Sequence, residues 1–228
     1  MQKIIVLTGA GMSAESGLKT FRDGDGLWNN YKIEEVASPH AWQQEPQVVL
    51  DFYNQRRKQL FEVEPNIAHY ALVRLEDTFD VQIITQNVDD LHERAGSANV
   101  LHLHGEIKKV RSTMDESLVY QMDGWELKLG DFCEKGSQLR PHIVWFGESV
   151  PNFSKASEIV AKADILIVIG TSLTVYPAAL LINEAPKESI KHLIDPNAPN
   201  NINLRNLTIH RKTAVDGLPE LVKQLLQN

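Results

Sequence analysis

The chain has 228 residues, 43% hydrophobic and 23% charged, enough to bury a full core as one large domain or as one plus a small insert. A net charge of −7 leaves no basic footprint for DNA or RNA, and no stretch approaches a transmembrane length. The start, MQKIIVLTGAG, is too short in apolar residues for a signal-peptide core, and the single Cys133 excludes an internal disulfide, so a cytoplasmic setting is expected.

Lys3 to Leu7 is a β-branched run that empties into Thr8-Gly9-Ala10-Gly11-Met12-Ser13 and on through Gly17. A strand ending in a glycine-rich turn ahead of a helix offers backbone N–H groups and partial positive charge to a diphosphate. Gly9 and Gly11 fit the first two glycines of the dinucleotide fingerprint, but Ala14 stands at the third. By itself the turn suits a nucleotide or a plain α/β fold equally. After Thr20, Phe21 and Arg22, the loop Asp23 to Trp28 reads as a mobile cover over that turn. Pro46 to Phe61 repeats apolar residues at helical spacing, and Ile67 to Leu75 continues as a second helix after Pro65.

Val81 to Thr85 reads as a buried parallel strand breaking into Gln86-Asn87-Val88-Asp89. Ligands bind just past such strand ends, so two amides and a carboxylate there form a polar grip for a small molecule. His104 follows before Gly105, where an imidazole can exchange a proton near neutral pH. A histidine in that place is also a common structural residue. Ile107 to Arg140 reads as a small, strand-poor insert. The main fold then resumes with a strand from His142 to Phe146, a helix from Ser154 to Ala163, and a strand from Ile165 to Ile169 ending in Gly170-Thr171-Ser172. His192 to Ile194 and Leu207 to His210 are further strands, and Leu218 to Leu226 is a helix. This alternation predicts the α/β class with a doubly wound parallel sheet.

Taken together, Gly9-Ala10-Gly11-Met12-Ser13 with Ser16-Gly17 and Thr20-Phe21-Arg22, then Gln86-Asn87-Val88-Asp89, His104-Gly105, Val144-Trp145-Phe146-Gly147-Glu148 and Gly170-Thr171-Ser172 closely resemble the sirtuins, NAD-dependent protein deacylases. The resemblance is in order and spans nearly the whole chain. It implies a Rossmann-like NAD-binding part (1–29, 77–106 and 141–228), a smaller part (30–76 and the insert 107–140), and an acyl-lysine tunnel between them. NAD would be the cofactor, acyl-lysine proteins or peptides the partners, and the chain a monomer. The products would be free lysine, nicotinamide and O-acyl-ADP-ribose.

By the same resemblance His104 would be the general base on a ribose hydroxyl, Asn87 and Gln86 would orient the ribose and a water, and Asp89 with the Val88 backbone would hold the nicotinamide carboxamide. Gly9, Ala10, Gly11, Ser13, Ser16, Gly170, Thr171 and Ser172 would bind phosphate and ribose, while Thr20, Phe21, Arg22 and Trp28 would close over the cofactor. Asp195 or Asn197 would meet the adenosine ribose, Ala214 would line the adenine, and the backbone of Val144, Trp145, Phe146 and Gly147 would pair with substrate as an added strand.

Two features refine this, one a departure and one a likeness. Family members usually build the small domain on two Cys-x-x-Cys pairs holding zinc, whereas the corresponding places here are Ser112, Asp115, Cys133 and Gly136. No zinc is therefore expected, with the insert held by apolar packing of Leu118, Tyr120, Trp125 and Leu127. The run Phe52 to Arg57 is similar to the Tyr-x-x-Arg element of the branch that removes succinyl and malonyl groups. Tyr53 and Arg56 share a helix face, on which phenol and guanidinium could clamp an acyl carboxylate; without that context Tyr53, Arg56, Arg57 and Lys58 read as solvated surface. The alternatives are NAD hydrolysis or ADP-ribosyl transfer on the same fold, and a non-catalytic NAD or ADP-ribose sensor.

Overall fold

The computed structural model describes residues 1–18, 27–28, 31–171, 173, 175–199 and 202–227. Strand β1 (Lys3–Thr8) leads into two single 3-10 turns, Ala10–Met12 and Ala14–Ser16, and then β2 (Leu27–Trp28) and β3 (Tyr31–Lys32). Helices α1 (Ile33–Val36), α2 (Pro39–Gln44), α3 (Pro46–Leu60) and α4 (Ile67–Leu75) follow. Ser38 and Asn66 cap α2 and α4 by accepting from the N–H groups of Ala41 and Ala68, and Pro46 opens α3 where a helix needs no donor. Next come β4 (Asp80–Thr85), α5 (Leu91–Ala95), β5 (Val100–His102), β6 (Gly105–Ser112), β7 (Val119–Gln121), β8 (Leu139–Ile143) and α6 (Phe153–Val160). The chain ends with β9 (Ile165–Ile169), a 3-10 segment (Ala178–Glu184), β10 (Ile190–Ile194), β11 (Leu207–His210) and α7 (Ala214–Leu225). No described helix is long and apolar enough to cross a membrane.

Six strands form one parallel sheet in the order β11-β10-β9-β1-β4-β5. Ile4 and Val6 join the core beneath α4 and α7, whereas Ile5 and Leu7 join that beneath α6 and the 3-10 segment Ala178–Glu184. Burial on both faces explains the continuous β-branched runs and makes the sheet doubly wound, as predicted. From β1 the chain builds outward through β4 to β5, then returns to the other side of β1 for β9. The strand order thus reverses between β1 and β9, the place where open α/β sheets bind ligands.

The insert departs from its expectation. Rather than being strand-poor, it carries the antiparallel sheet β7-β6-β8, and the strand expected from His142 to Phe146 lies instead at Leu139–Ile143, paired with β6 and outside the main sheet. Pro141 hid it: proline cannot donate to a ladder, and here it sits opposite Val110 beside a register shift, an irregularity that tolerates it. The C-terminal helix also starts earlier than Leu218, at Ala214, where Thr213 caps it, and Gly217 and Pro219 lie within its first turns.

The attachment of the insert is a second correction. Leu127 is buried with Leu50 and Val110, and Tyr120 packs at the edge of this cluster, but Trp125 is 38% exposed. A polar grip accompanies this apolar contact. Arg57, expected on the surface, is 0% exposed; its Nε donates to the Ile107 carbonyl and its Nη1 to the Trp125 carbonyl, both at 2.6 Å. Asn54 donates to the Leu127 carbonyl and accepts from the Leu127 N–H, each at 2.9 Å. One turn of α3 therefore binds the insert through main-chain groups, which no apolar pattern announces.

Candidate active site

The glycine turn owes its shape to backbone contact across the strand-order reversal. The Gly9 N–H donates to the Ile169 carbonyl and the Gly11 N–H to the Gly170 carbonyl, both at 2.9 Å. A Cβ on Gly11 would stand 2.7 Å from Gly170 Cα, so the two chains meet at a distance only glycine allows. Among the described residues the turn runs into 3-10 turns rather than the expected helix, so its donors are loop N–H groups and not a helix terminus. Ala10 opens the first turn, and Ser16 accepts from Asn66 Nδ2 at 3.0 Å. Thr20, Phe21, Arg22 and Ser172 lie outside the described residues, as does most of the expected covering loop; Trp28 pairs with Tyr31 in the β2–β3 ladder.

The ends of β4, β5 and β9 converge beside this turn. Gln86 Nε2 donates to the Thr171 hydroxyl at 3.3 Å, and Asn87 Nδ2 donates to the Ser13 hydroxyl at 3.1 Å. The Asn87 N–H donates to the Thr85 hydroxyl, and Ile107 N–H donates to the Val88 carbonyl. Asp89 is buried and accepts from the Leu91 N–H at 3.2 Å. Burial raises its pKa, opposed by that hydrogen bond, by Ser13 and by the charge of His102.

His104 Nδ1 lies 3.1 Å from the Gln86 carbonyl, which can only accept, so the proton sits on Nδ1 and Nε2 keeps its lone pair. Burial lowers the pKa of this imidazole, with the Gln86 bond acting against it, so the ring is a neutral base near pH 7. Gly105 turns the chain at φ 83°, and a Cβ there would fall 2.0 Å from the His142 carbonyl. The His104 carbonyl accepts from the Val144 N–H at 2.9 Å, tying the histidine to the segment after β8.

In that segment Trp145 is buried, while Phe146 and Gly147 are exposed and Val144 is half-buried. Trp145 Nε1 donates to the Tyr53 hydroxyl at 3.1 Å, the Arg140 guanidinium stacks on the indole, and Glu148 accepts from the Trp145 N–H and from Arg140. Tyr53 is 1% exposed, and burial pushes its phenol above its ordinary pKa, against the Trp145 bond and the charges of Arg56 and Arg140. Burial lowers Arg56 to about 10, opposed by Tyr53 and Asp89. Tyr53 and Arg56 are thus no solvated surface, and Arg56 lies within electrostatic reach of Asp89.

Asp195, Asn197 and Ala214 lie further along the sheet edge, past β10 and β11. The buried Asp195 accepts from the Asn197 N–H at 2.8 Å, and Ala214 packs into the core beneath α7. Sequence reasoning missed His102, Glu93, Arg140, Thr8 and Thr85. Only His102 carried a signal, standing two positions before His104 in an alternating strand.

The places where the resemblance would set zinc ligands hold a hydrogen-bonded knot. Ser112 and Ser137 hydroxyls lie 2.6 Å apart, Cys133 Sγ is 3.1 Å from Ser137, and Asp115 is paired with Lys135 at 2.6 Å. One thiol, an engaged carboxylate and Gly136 do not fit a tetrahedral zinc, and no group of three or more metal-ligating side chains occurs among the described residues.

A Sir2 family profile matches residues 9–177. The NAD-dependent protein deacylase of Helicobacter pylori (strain ATCC 700392 / 26695) is 55% identical over 229 residues, covering 100% of this chain and 99% of that protein. The NAD-dependent protein deacylase of Bacteroides thetaiotaomicron is 51% identical, with 99% and 98% covered. A solved Sir2 homolog–NAD complex superposes with a TM-score of 0.88 at 40% identity, covering 99% of this chain and 90% of that one. A Sir2 mutant bound to a deacetylated p53 peptide and 3'-O-acetyl ADP-ribose superposes at 0.82 and 28% identity, covering 97% and 92%.

Proposed function

The chain belongs to the Sir2 family, and on that premise we propose that it is an NAD-dependent protein-lysine deacylase that favours acidic acyl groups. The observation that carries the reading is the meeting of Gln86, Asn87, Asp89 and a neutral His104 beside the Gly9–Gly11 turn. NAD is the cofactor, and when bound it supplies a ribose carbon whose bond to nicotinamide breaks. His104 Nε2 takes a proton from a ribose hydroxyl, while Asn87 and Gln86 hold the ribose and a water in line. Asp89 and the Val88 backbone hold the carboxamide. Gly9, Ala10, Gly11, Ser13, Ser16, Gly170 and Thr171 bind phosphate and ribose, and Ser172, Thr20, Phe21, Arg22 and Trp28 are assigned to the same cofactor by the family resemblance alone. Asp195, Asn197 and Ala214 serve the adenosine end, and the products are free lysine, nicotinamide and O-acyl-ADP-ribose.

The acidic preference rests on Tyr53 and Arg56. The Tyr53 oxygen already accepts from Trp145, so its own O–H is left to donate, and Arg56 adds a guanidinium. Charge-assisted hydrogen bonds contribute about 1.5 to 3 kcal/mol each, roughly ten- to over a hundred-fold in favour of succinyl over acetyl. The substrate backbone lies along 144–147 as an added strand. The chain works as a cytoplasmic monomer without zinc, its NAD-binding and smaller parts dividing near 29, 76, 106 and 140.

Incubating the protein with NAD, with and without an acyl-lysine peptide, tests the reading. Nicotinamide release only with peptide supports it. Release without peptide favours NAD hydrolysis or ADP-ribosyl transfer, and no release in either case leaves a sensor.

A further inference from the structure

His102 ends β5 with its ring 9% exposed and strung between two acceptors. Its Nδ1 lies 3.0 Å from the Asn87 carbonyl oxygen and its Nε2 lies 2.8 Å from Glu93 Oε1. A carbonyl and a carboxylate accept only, and a neutral imidazole carries one N–H, so only the imidazolium satisfies both. We infer that His102, held as a cation by Glu93, is a positioning residue for the deacylation reaction, clamping the backbone of Asn87 from below the site.

The remaining contacts fit a clamp. Asn87 is also held at its N–H by Thr85, whose hydroxyl meets that of Thr8 at 2.8 Å, and at its amide by Ser13. The His102 carbonyl in turn accepts from Asn152 Nδ2 at 2.8 Å, which fixes the ring's own backbone. The charged groups around the ring are mostly acidic: Glu93 on α5, Asp89 and Asp90 after β4, and Glu106 on β6. Lys108 and Lys109 on β6 are paired with Asp90 and Glu106, both at 2.8 Å, and His92 on α5 is held neutral by burial. Burial opposes a charge on His102, but the bond to Glu93 and its carboxylate outweigh burial and raise the pKa above its ordinary value.

Two histidines two positions apart are thus driven to opposite states. His104 must be neutral to accept a proton, and His102 must be charged to keep both partners. As pH rises through the raised pKa of His102, either the Asn87 carbonyl or Glu93 is released, and turnover falls through loss of alignment rather than of the base.

The inference rests on the reading of Asn87 as an orienting residue in deacylation, and the test separates the two. Deacylation by the full chain is followed from about pH 6 to pH 10, resolving kcat from KM for peptide. Wild type is expected to lose kcat, not peptide affinity, on the alkaline side. Glu93→Gln should remove that alkaline limb and leave the acid limb, because a carboxamide can turn its NH2 to a bare Nε2 and so satisfy a neutral ring. His102→Ala should lower kcat about ten- to a hundred-fold, the scale of a small misalignment, and also show no alkaline limb. If that variant does not fold, Glu93→Gln decides, its side chain being 41% exposed. A wild-type profile with no alkaline limb, or a limb unchanged in both variants, overturns the inference. Should wild type not deacylate at all, the functional reading fails by itself, and NMR titration still decides whether the His102 ring is a cation. It should titrate above about 6.5 in wild type and lower in Glu93→Gln; a ring titrating at or below that value in wild type overturns the clamp.

Discussion

The indole N–H of Trp145 donates to the hydroxyl of Tyr53 at 3.1 Å, joining the segment after β8 to α3. Because the bond occupies the phenol as an acceptor, it leaves the phenol's own proton for a third group, and an acyl carboxylate is the partner we propose. Tyr53→Phe should lower kcat/KM for a succinyl-lysine peptide by about ten- to a hundred-fold and leave acetyl-lysine nearly unaffected. Trp145→Phe should move the ratio in the same direction by less. Equal losses on both peptides would reduce the pair to packing.

Arg56 is the proposed source of the charge. Arg56→Met should abolish most desuccinylation while sparing deacetylation, measured as the ratio of the two kcat/KM values. Loss of both in equal measure, or of neither, would remove Arg56 from the acyl pocket.

His104→Ala should slow turnover by about two to four orders of magnitude with NAD binding nearly intact, the usual range for a lost general base. The pH dependence has a defined sign. Burial holds the His104 pKa below its ordinary value, so the neutral base persists as pH falls through about 6.5, and kcat drops only at lower pH. An acid limb centred above that value would contradict the assignment.

Much of the fold and part of the site were legible in the sequence, for physical reasons. β1, β4 and β9 are buried on both faces, so their β-branched runs announce strands, and the residues proposed to bind NAD fall where those runs break, at Gly9, Gln86 and Gly170. β8 was not legible because Pro141 argues against a strand until the register shift opposite it is known. Arg57, and His102 apart from its spacing to His104, were hidden for another reason. Each is buried because of acceptors distant in sequence, the carbonyls of Ile107 and Trp125 for one and Asn87 with Glu93 for the other, and spacing encodes none of these.

The clamp from α3 makes a prediction about stability. Arg57→Met should cost at least about 2 kcal/mol in urea unfolding, since it leaves the Ile107 and Trp125 carbonyls without their charged donor. A chelator should leave the melting temperature of the wild-type chain unchanged, and elemental analysis should find no stoichiometric zinc. Unfolding on chelation would mean that metal, not Arg57 and Asn54, secures the insert.

Following nicotinamide and free lysine together, while the protein acts on matched succinyl- and acetyl-lysine peptides with NAD, tests the proposed deacylation most directly. The expected result is one nicotinamide released for each lysine freed, no release without peptide, and a faster reaction on the succinyl peptide. Nicotinamide released without peptide, or lysine freed without NAD, would contradict it.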